Sequence, residues 1–346
     1  MWGTIFVPHM FFFLVPAVSF LLALFLTPLA IRLAARFGAM DRPAQRRVHE
    51  TPTPRLGGLP LFCAFFIAIS VSMYFPRTDP NETLRLVGLF IGASVMFAVG
   101  VYDDRAELRA APQLIAQIVA AAIAVGAGVM IWELPNPFGG VLSLDAWMAV
   151  AFTIFWLVGM MNTVNWLDGV DGLASGVVGI AGIILFIHTF RLGQFSIALL
   201  ALALSGAAFG FLPFNFHPAK IFMGSAGAFV LGYALGILSI IGGAKVAFAL
   251  LVLSVPILDV AWQIFSRVRA GQSPFSPTRT HLHHRLLDAG LSSRAIVLLY
   301  YALTATFGAL ALVLPSGAYK LIALAVIGFG ALLVLFKIGQ KKTPQA

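Results

Sequence analysis

The sequence is short of charge, all but lacks cysteine, and contains no long polar stretch. Asp, Glu, Lys and Arg make up 10% of its 346 residues, against roughly 25% in soluble globular domains. A soluble chain of this size could not hide so much apolar surface, which excludes the ordinary globular classes. The single cysteine, Cys63, excludes an intramolecular disulfide. No Lys or Arg precedes Arg32, so the first apolar run lacks the basic start of a signal peptide, and it lacks the small-residue cleavage site as well. It is expected to be retained as a helix. No segment is long enough for a separate soluble domain, so residues 1–346 read as one domain. Function then has to come from loops and helix ends.

What is abundant is apolar sequence, 60% of the chain, with a mean hydropathy of +0.96. Continuous apolar runs lie near 8–31, 56–76, 84–101, 113–132, 146–163, 172–190, 195–213, 222–241, 244–265, 295–314 and 318–337. Each has about the length a helix needs to cross a ~30 Å hydrocarbon layer. The expected fold is all-α, a polytopic integral membrane protein of about 11 transmembrane helices. Basic residues orient it. Alternate loops from Arg32 onward hold 17 of the 22 Lys and Arg, which places the N-terminus outside and the C-terminus in the cytoplasm. The net charge of +9 is thus a topology signal rather than a nucleic-acid footprint. The cytoplasmic loops fall at about 35–55, 102–112, 163–171, 214–221 and 266–294.

Polar residues kept by a membrane protein mark its function. Nine of the 13 acidic residues, Asp41, Glu50, Asp103, Asp104, Glu107, Asp168, Asp171, Asp259 and Asp288, fall on the cytoplasmic side. One face is chemically equipped and the other is plain. Arg46, Arg47, His49 and Arg55 lie in a loop whose alternate prolines keep it extended and whose Gly57–Gly58 pair allows close approach to a ligand. Cations there suit phosphate, although a positive-inside anchor explains them equally. Asp103 and Asp104 stand at a helix end, where Mg²⁺ with phosphate is one way to hold adjacent carboxylates and a solvated pair is another. In Asn162-Thr-Val-Asn165-Trp-Leu-Asp168-Gly-Val-Asp171 a polar group recurs every third position, with glycines that let a helix unwind. Lys220 precedes an apolar run rich in small residues, which suits either phosphate or close helix packing. Arg279, His281, His283, His284 and Arg285 form a last cluster, better suited to phosphate than to zinc because no fourth ligand has the spacing.

Taken in order, the segments RRVHETPTPRLGG, YDDR, NTVNWLDGVDGLASG, FNFHPAKIFMG and THLHHRLLDAG resemble the polyprenyl-phosphate N-acetylhexosamine-1-phosphate transferases. The His-x-His-His form is more similar to the WecA/TagO branch than to the MraY branch. The resemblance implies transfer of a sugar-1-phosphate from a UDP-sugar to undecaprenyl phosphate, with release of UMP and Mg²⁺ (or Mn²⁺) as cofactor. It places the protein in the inner (plasma) membrane with its site on the cytoplasmic face, starting a lipid-linked glycan of the cell wall or surface polysaccharide. Partners would be the two substrates and membrane lipid, with no nucleic acid and with a homodimer left open. Residue by residue it implies that Asp103 and Asp104 organise metal and acceptor. Asn165 would be a metal ligand, and Asp168 and Asp171 would hold the nucleotide end. Lys220, Arg279, His281, His283, His284 and Arg285 would address phosphates, with His281 among the catalytic set. Arg46, Arg47, His49 and Arg55 would steady the sugar or its covering loop.

Three positions depart from the family pattern. Ser225 stands where the family has a metal-binding Asp, and as a ligand it brings no negative charge. Ala111-Pro112-Gln113 stand where a basic residue is usual, and Thr278 where an Asp is usual. A family member that binds lipid phosphate or nucleotide sugar without catalysis is the alternative. A transporter is a weaker one, since the runs carry almost no charge and show no internal repeat.

Overall fold

The computed structural model describes residues 3–41, 52–77, 79–136, 138–243, 246–269, 271, 282–315 and 317–340. It is almost wholly helical, and each of the eleven apolar runs carries a helix. In chain order these are α1 (Gly3–Phe37), α2 (Gly58–Ser72), α3 (Glu82–Ala106), α4 (Ala110–Gly126), α5 (Ala146–Leu167), α6 (Leu173–Arg191) and α7 (Phe195–Asn215). There follow α8 (Gly224–Ile241), α9 (Val246–Val252), α10 (Ser254–Arg269), α11 (Leu282–Asp288), α12 (Ser293–Val313) and α13 (Gly317–Gln340).

Among the described residues, seven helices are long and apolar enough to cross a membrane, or eight if α9 and α10 together make one span, against the expected count of about 11. The helices of the second and fourth runs, α2 and α4, are shorter. The run at 244–265 is not one straight span, because α9 and α10 meet at 91°. The physical reason stands in its sequence. Ser254 and Pro256 follow the break, where Pro removes a backbone donor, and Asp259 and Gln263 beyond it make a polar row unsuited to lipid.

The centre of the bundle is α8, buried along nearly its whole length and flanked by α3, α5 and α2. Its small residues make that possible, since backbones approach only where side chains are absent. A Cβ on Gly232 would lie 2.7 Å from the Met160 carbonyl of α5, and one on Gly100 of α3 would lie 2.3 Å from Ala226 Cα. On the other side α7 is gripped by α1 and α6. There the Ser19 hydroxyl donates to the Ala203 carbonyl at 2.6 Å, which satisfies a buried polar group in an apolar layer. At the end of the bundle away from the acidic motifs, strands β3 (Glu133–Pro135) and β4 (Val141–Ser143) form an antiparallel hairpin. At the opposite end, β1 (Met40–Asp41) pairs with β2 (Thr53–Pro54) and returns the chain to the mouth of α8.

Candidate active site

The N-terminal end of α8 is where the separate motifs meet. Gly224 opens the helix at φ +71°, a conformation that favours glycine. A Cβ there would also sit 2.4 Å from Asp104 Oδ2, so this glycine admits the carboxylate from α3. Asp104 Oδ1 accepts the Ser225 N–H at 2.8 Å, and Oδ2 accepts the Ala226 N–H at 3.3 Å. A carboxylate from one helix thereby caps the positive end of another. Arg55 completes the group, with its Nε 2.9 Å from Asp104 Oδ1 and an Nη 3.9 Å from Asp41. Its loop is brought there by backbone bonds. Phe222 N–H donates to the Pro54 carbonyl at 2.8 Å, and Gly57 N–H donates to the Phe222 carbonyl at 3.0 Å.

Asp103 serves its own corner. It is almost fully buried, and its Oδ1 accepts the Leu108 N–H and the Gln113 amide, each at 2.8 Å. These bonds close the α3–α4 turn, where Glu107 takes φ +47°. The glutamine that stands in place of a basic residue is therefore the partner that orients Asp103.

The polar residues spaced in threes along the end of α5 do different things. Asn162 is structural, since its amide exchanges hydrogen bonds with Gln117 of α4 at 2.7 and 3.3 Å. Asn165, partly buried, makes no hydrogen bond among the described residues. Asp168 caps the end of α5. Burial is the largest cause pushing its carboxyl up to about 8; the charges of Asp104 and Asp171 add to the rise, and Arg55 and the Gly224 N–H oppose it. Asp171 Oδ2 accepts from Ala219 N–H at 3.1 Å and pairs with His217 Nδ1 at 2.8 Å. It thus ties the α5–α6 turn to the loop before α8, and that loop presents the Lys220 side chain to solvent. Tyr301 of α12 donates to the Gly172 carbonyl at 2.5 Å and holds the same turn from behind.

A second polar layer runs along α10. The Leu282 N–H of α11 donates to Asp259 Oδ1 at 2.8 Å, and the buried Arg267 guanidinium lies 6.0 Å from the ring centre of Trp166. One helix thus touches both the histidine-bearing helix α11 and the α5 motif. His283 is buried and Arg285 partly so. Arg46, Arg47, His49, Arg279 and His281 lie outside the described residues, as does the His284 side chain.

The structure therefore brings together Arg55, Asp104, Asp168, Asp171 and Ser225, sets Asp103 beside them in its own turn, and puts Lys220 on the loop that Asp171 holds. It adds two residues that the motifs did not single out for the site, His217 and Asp259. Their signals were a His-Pro step inside a motif and an acid in an otherwise apolar run. Of the expected metal ligands Asn165, Asp103, Asp104 and Ser225, the two carboxylates already accept hydrogen bonds from the protein. Among the described residues no three His, Cys, Asp or Glu converge as metal ligands, and the oxygens of Asp104 already accept from backbone amides and Arg55.

Residues 86–243 match the family model described as glycosyl transferase family 4. The chain is 34% identical over 305 residues to a probable undecaprenyl-phosphate N-acetylglucosaminyl 1-phosphate transferase of Bacillus subtilis, covering 86% of this chain and 84% of that protein. It is 34% identical over 342 residues to a decaprenyl-phosphate N-acetylglucosaminephosphotransferase of Mycobacterium tuberculosis, covering 89% and 85%. Identity to an undecaprenyl-phosphate alpha-N-acetylglucosaminyl 1-phosphate transferase of Salmonella typhi is 31% over 321 residues, covering 84% and 82%.

Proposed function

The chain belongs to the polyprenyl-phosphate N-acetylglucosamine-1-phosphate transferases, and on that premise we propose that it transfers N-acetylglucosamine 1-phosphate from the UDP-sugar to undecaprenyl phosphate. The observation that carries this reading is the gathering of Asp104, Asp168 and Asp171 from two helix ends around the mouth of α8, with Arg55 on Asp104 and the exposed Lys220 next in sequence to Ala219, whose N–H meets Asp171. A buried cleft would serve a small soluble substrate. A polar mouth at the end of apolar helices serves one substrate from water and one from lipid.

In the reaction, a phosphate oxygen of the lipid forms a bond to the β-phosphorus of the donor. The bond from that phosphorus to the bridging oxygen breaks, and UMP leaves with the oxygen. A phosphate monoester has its second pKa near ~6, so at neutral pH the acceptor is already largely dianionic and needs no strong base. The demand on the protein is to hold several negative groups together in a fixed line. Lys220 and Arg55 supply positive charge, and Asp171 holds the loop that carries Lys220. Asp103, fixed through one oxygen by Gln113 and Leu108, keeps its other oxygen for the acceptor side. A divalent cation, when bound, would screen the diphosphate. The basic loops support a cytoplasmic site in the plasma membrane, an outside N-terminus and an inside C-terminus. Eleven crossings follow if α13 spans and if α2 and α4, short as they are, also traverse a locally thinned bilayer.

The test is UMP release by the purified protein given undecaprenyl phosphate, Mg²⁺ and a panel of UDP-sugars. We expect release that needs the lipid and is fastest with UDP-N-acetylglucosamine. Binding of a UDP-sugar without UMP release would replace the enzyme by a binding relative, and silence without binding would return the transporter.

A further inference from the structure

We propose that the described residues at the mouth of α8 hold no divalent cation by themselves, and that the ion enters on the diphosphate of the donor. The proposal rests on the transferase reading and adds to it how the cofactor arrives. Its basis is the occupation of the carboxylates. Asp104 Oδ1 accepts from the Ser225 N–H at 2.8 Å and from Arg55 Nε at 2.9 Å, and Oδ2 accepts from the Ala226 N–H at 3.3 Å. These are charge-assisted bonds to a helix N-terminus and a guanidinium. A bare ion that took this carboxylate would have to displace Arg55 and uncap α8.

The neighbours are partly engaged as well. Asp168 accepts the Gly224 N–H. One oxygen of Asp103 is held by Leu108 and Gln113, and one oxygen of Asp171 by His217 and Ala219. At the first turn of α8 the side chain beside Asp104 belongs to Ser225, a neutral hydroxyl that adds no charge. Asn165, with an amide that makes no bond among the described residues, is neutral too. Mg²⁺ usually takes one or two carboxylates together with substrate phosphates rather than an all-protein cage. With Asp104 engaged, the donor's diphosphate has to bring the charge that the protein withholds. Arg55, released from Asp104 in that step, can turn to the same diphosphate.

The experiment measures Mn²⁺ retained by the full-length detergent-solubilised protein in equilibrium dialysis, with and without UDP-N-acetylglucosamine, alongside UMP formation. Wild type is expected to retain no stoichiometric Mn²⁺ alone at about 0.1 mM ion, and to retain one equivalent with the nucleotide sugar. Ser225→Asp, which adds a carboxylate at the mouth of α8, is expected to bind Mn²⁺ alone at least about tenfold more tightly. Its melting temperature would then rise with Mn²⁺, as binding to the folded state requires, while that of wild type would not. Stoichiometric retention by wild type without nucleotide overturns the proposal whatever the variant does. A folded Ser225→Asp that gains no Mn²⁺ overturns the role given to position 225. Absence of UMP from wild type counts against the transferase reading alone, so the two failures are separable.

Discussion

At the end that the proposed topology puts outside, α3 begins with Glu82, buried and fully matched: Oε1 meets Arg77 at 2.8 Å and Oε2 accepts the Ser196 hydroxyl at 2.6 Å. At the other, inner end, about 30 Å along the helix, the Asp104 side chain is less fully buried and is matched by amides of another helix and by an arginine on a loop. The outer carboxylate joins α3 to α7 and to the α2–α3 connection, near a cluster of phenylalanines that includes Phe12, Phe75 and Phe195. The inner one lies among three further acids. Both ends solve the cost of burying charge, but only the inner one does so with partners that a phosphate could also claim. The outer face is therefore not plain, as its few charges suggest; it carries a closed ion pair where the inner face carries an open one.

The strongest way to break this comparison is at the closed end. Removing one partner of a buried pair strands the other, at about 3–5 kcal/mol. Glu82→Ala is expected to lower stability by that amount and to leave UMP release per folded molecule unchanged. Thermal unfolding and turnover on the same preparation check it. A loss of turnover in the folded fraction would show that the outer cluster also governs the inner site.

At the open end the effect should fall on chemistry instead. Asp104→Asn keeps an acceptor oxygen toward α8 but removes the charge that faces Arg55. Loss of one positioned electrostatic contact costs roughly 10²-fold in rate, and kcat is expected to drop by at least about that factor while the melting temperature moves by only a few degrees. Equal losses in stability and rate would make Asp104 a brace like Glu82.

Asp168 sharpens the contrast through pH. Its unfolded carboxyl titrates near ~3.9, and the folded one is pushed up to about 8. Between those values the folded state holds a proton that the unfolded state has lost. Stability is therefore whole below about pH 4 and declines as pH rises toward 8. Asp168→Asn has no proton to lose, so its melting temperature relative to wild type is expected to climb across that window in nucleotide-free protein. A constant difference from pH 5 to pH 8 would remove the shift.

Much of this was legible in the sequence, and what was not is non-local. Apolar run length located every long helix, because lipid demands it. The acids at 103, 104, 168 and 171 announced themselves by standing where apolar runs stop. The contacts that define the site are different in kind. Arg55 reaches Asp104 only because a β-pair and two bonds to Phe222 fold its loop over α8, and His217 reaches Asp171 only because α6 and α7 return the chain to the same end. No periodicity encodes either pairing. The break before α10 has a local signal in the sequence: Pro256, then Asp259, Gln263 and Arg267 at fourfold spacing, make a polar stripe in an otherwise apolar run. That stripe has its own test. Asp259→Asn keeps an oxygen for the Leu282 N–H and should hold kcat within about threefold. Asp259→Leu should lose more than about tenfold, with KM for the UDP-sugar rising as α11 loosens.

Gln113 offers the finest cut between a brace and a reacting group. It donates at 2.8 Å to the Asp103 oxygen that also takes the Leu108 N–H, so it fixes the direction of the other oxygen without touching substrate. A hydrogen bond to a charged acceptor is worth about 1.5–3 kcal/mol, but here the Leu108 amide remains when Gln113 is removed, so the lower figure applies. Gln113→Ala is expected to reduce kcat about tenfold at most, leave KM for the UDP-sugar unchanged, and cost about 1.5 kcal/mol in stability. Gln113→Glu separates geometry from charge, because it places a like charge against Asp103. It should cost more than the alanine change in both rate and stability. If the two variants behave alike, Gln113 only fills space in the α3–α4 turn, and Asp103 is oriented by the backbone alone.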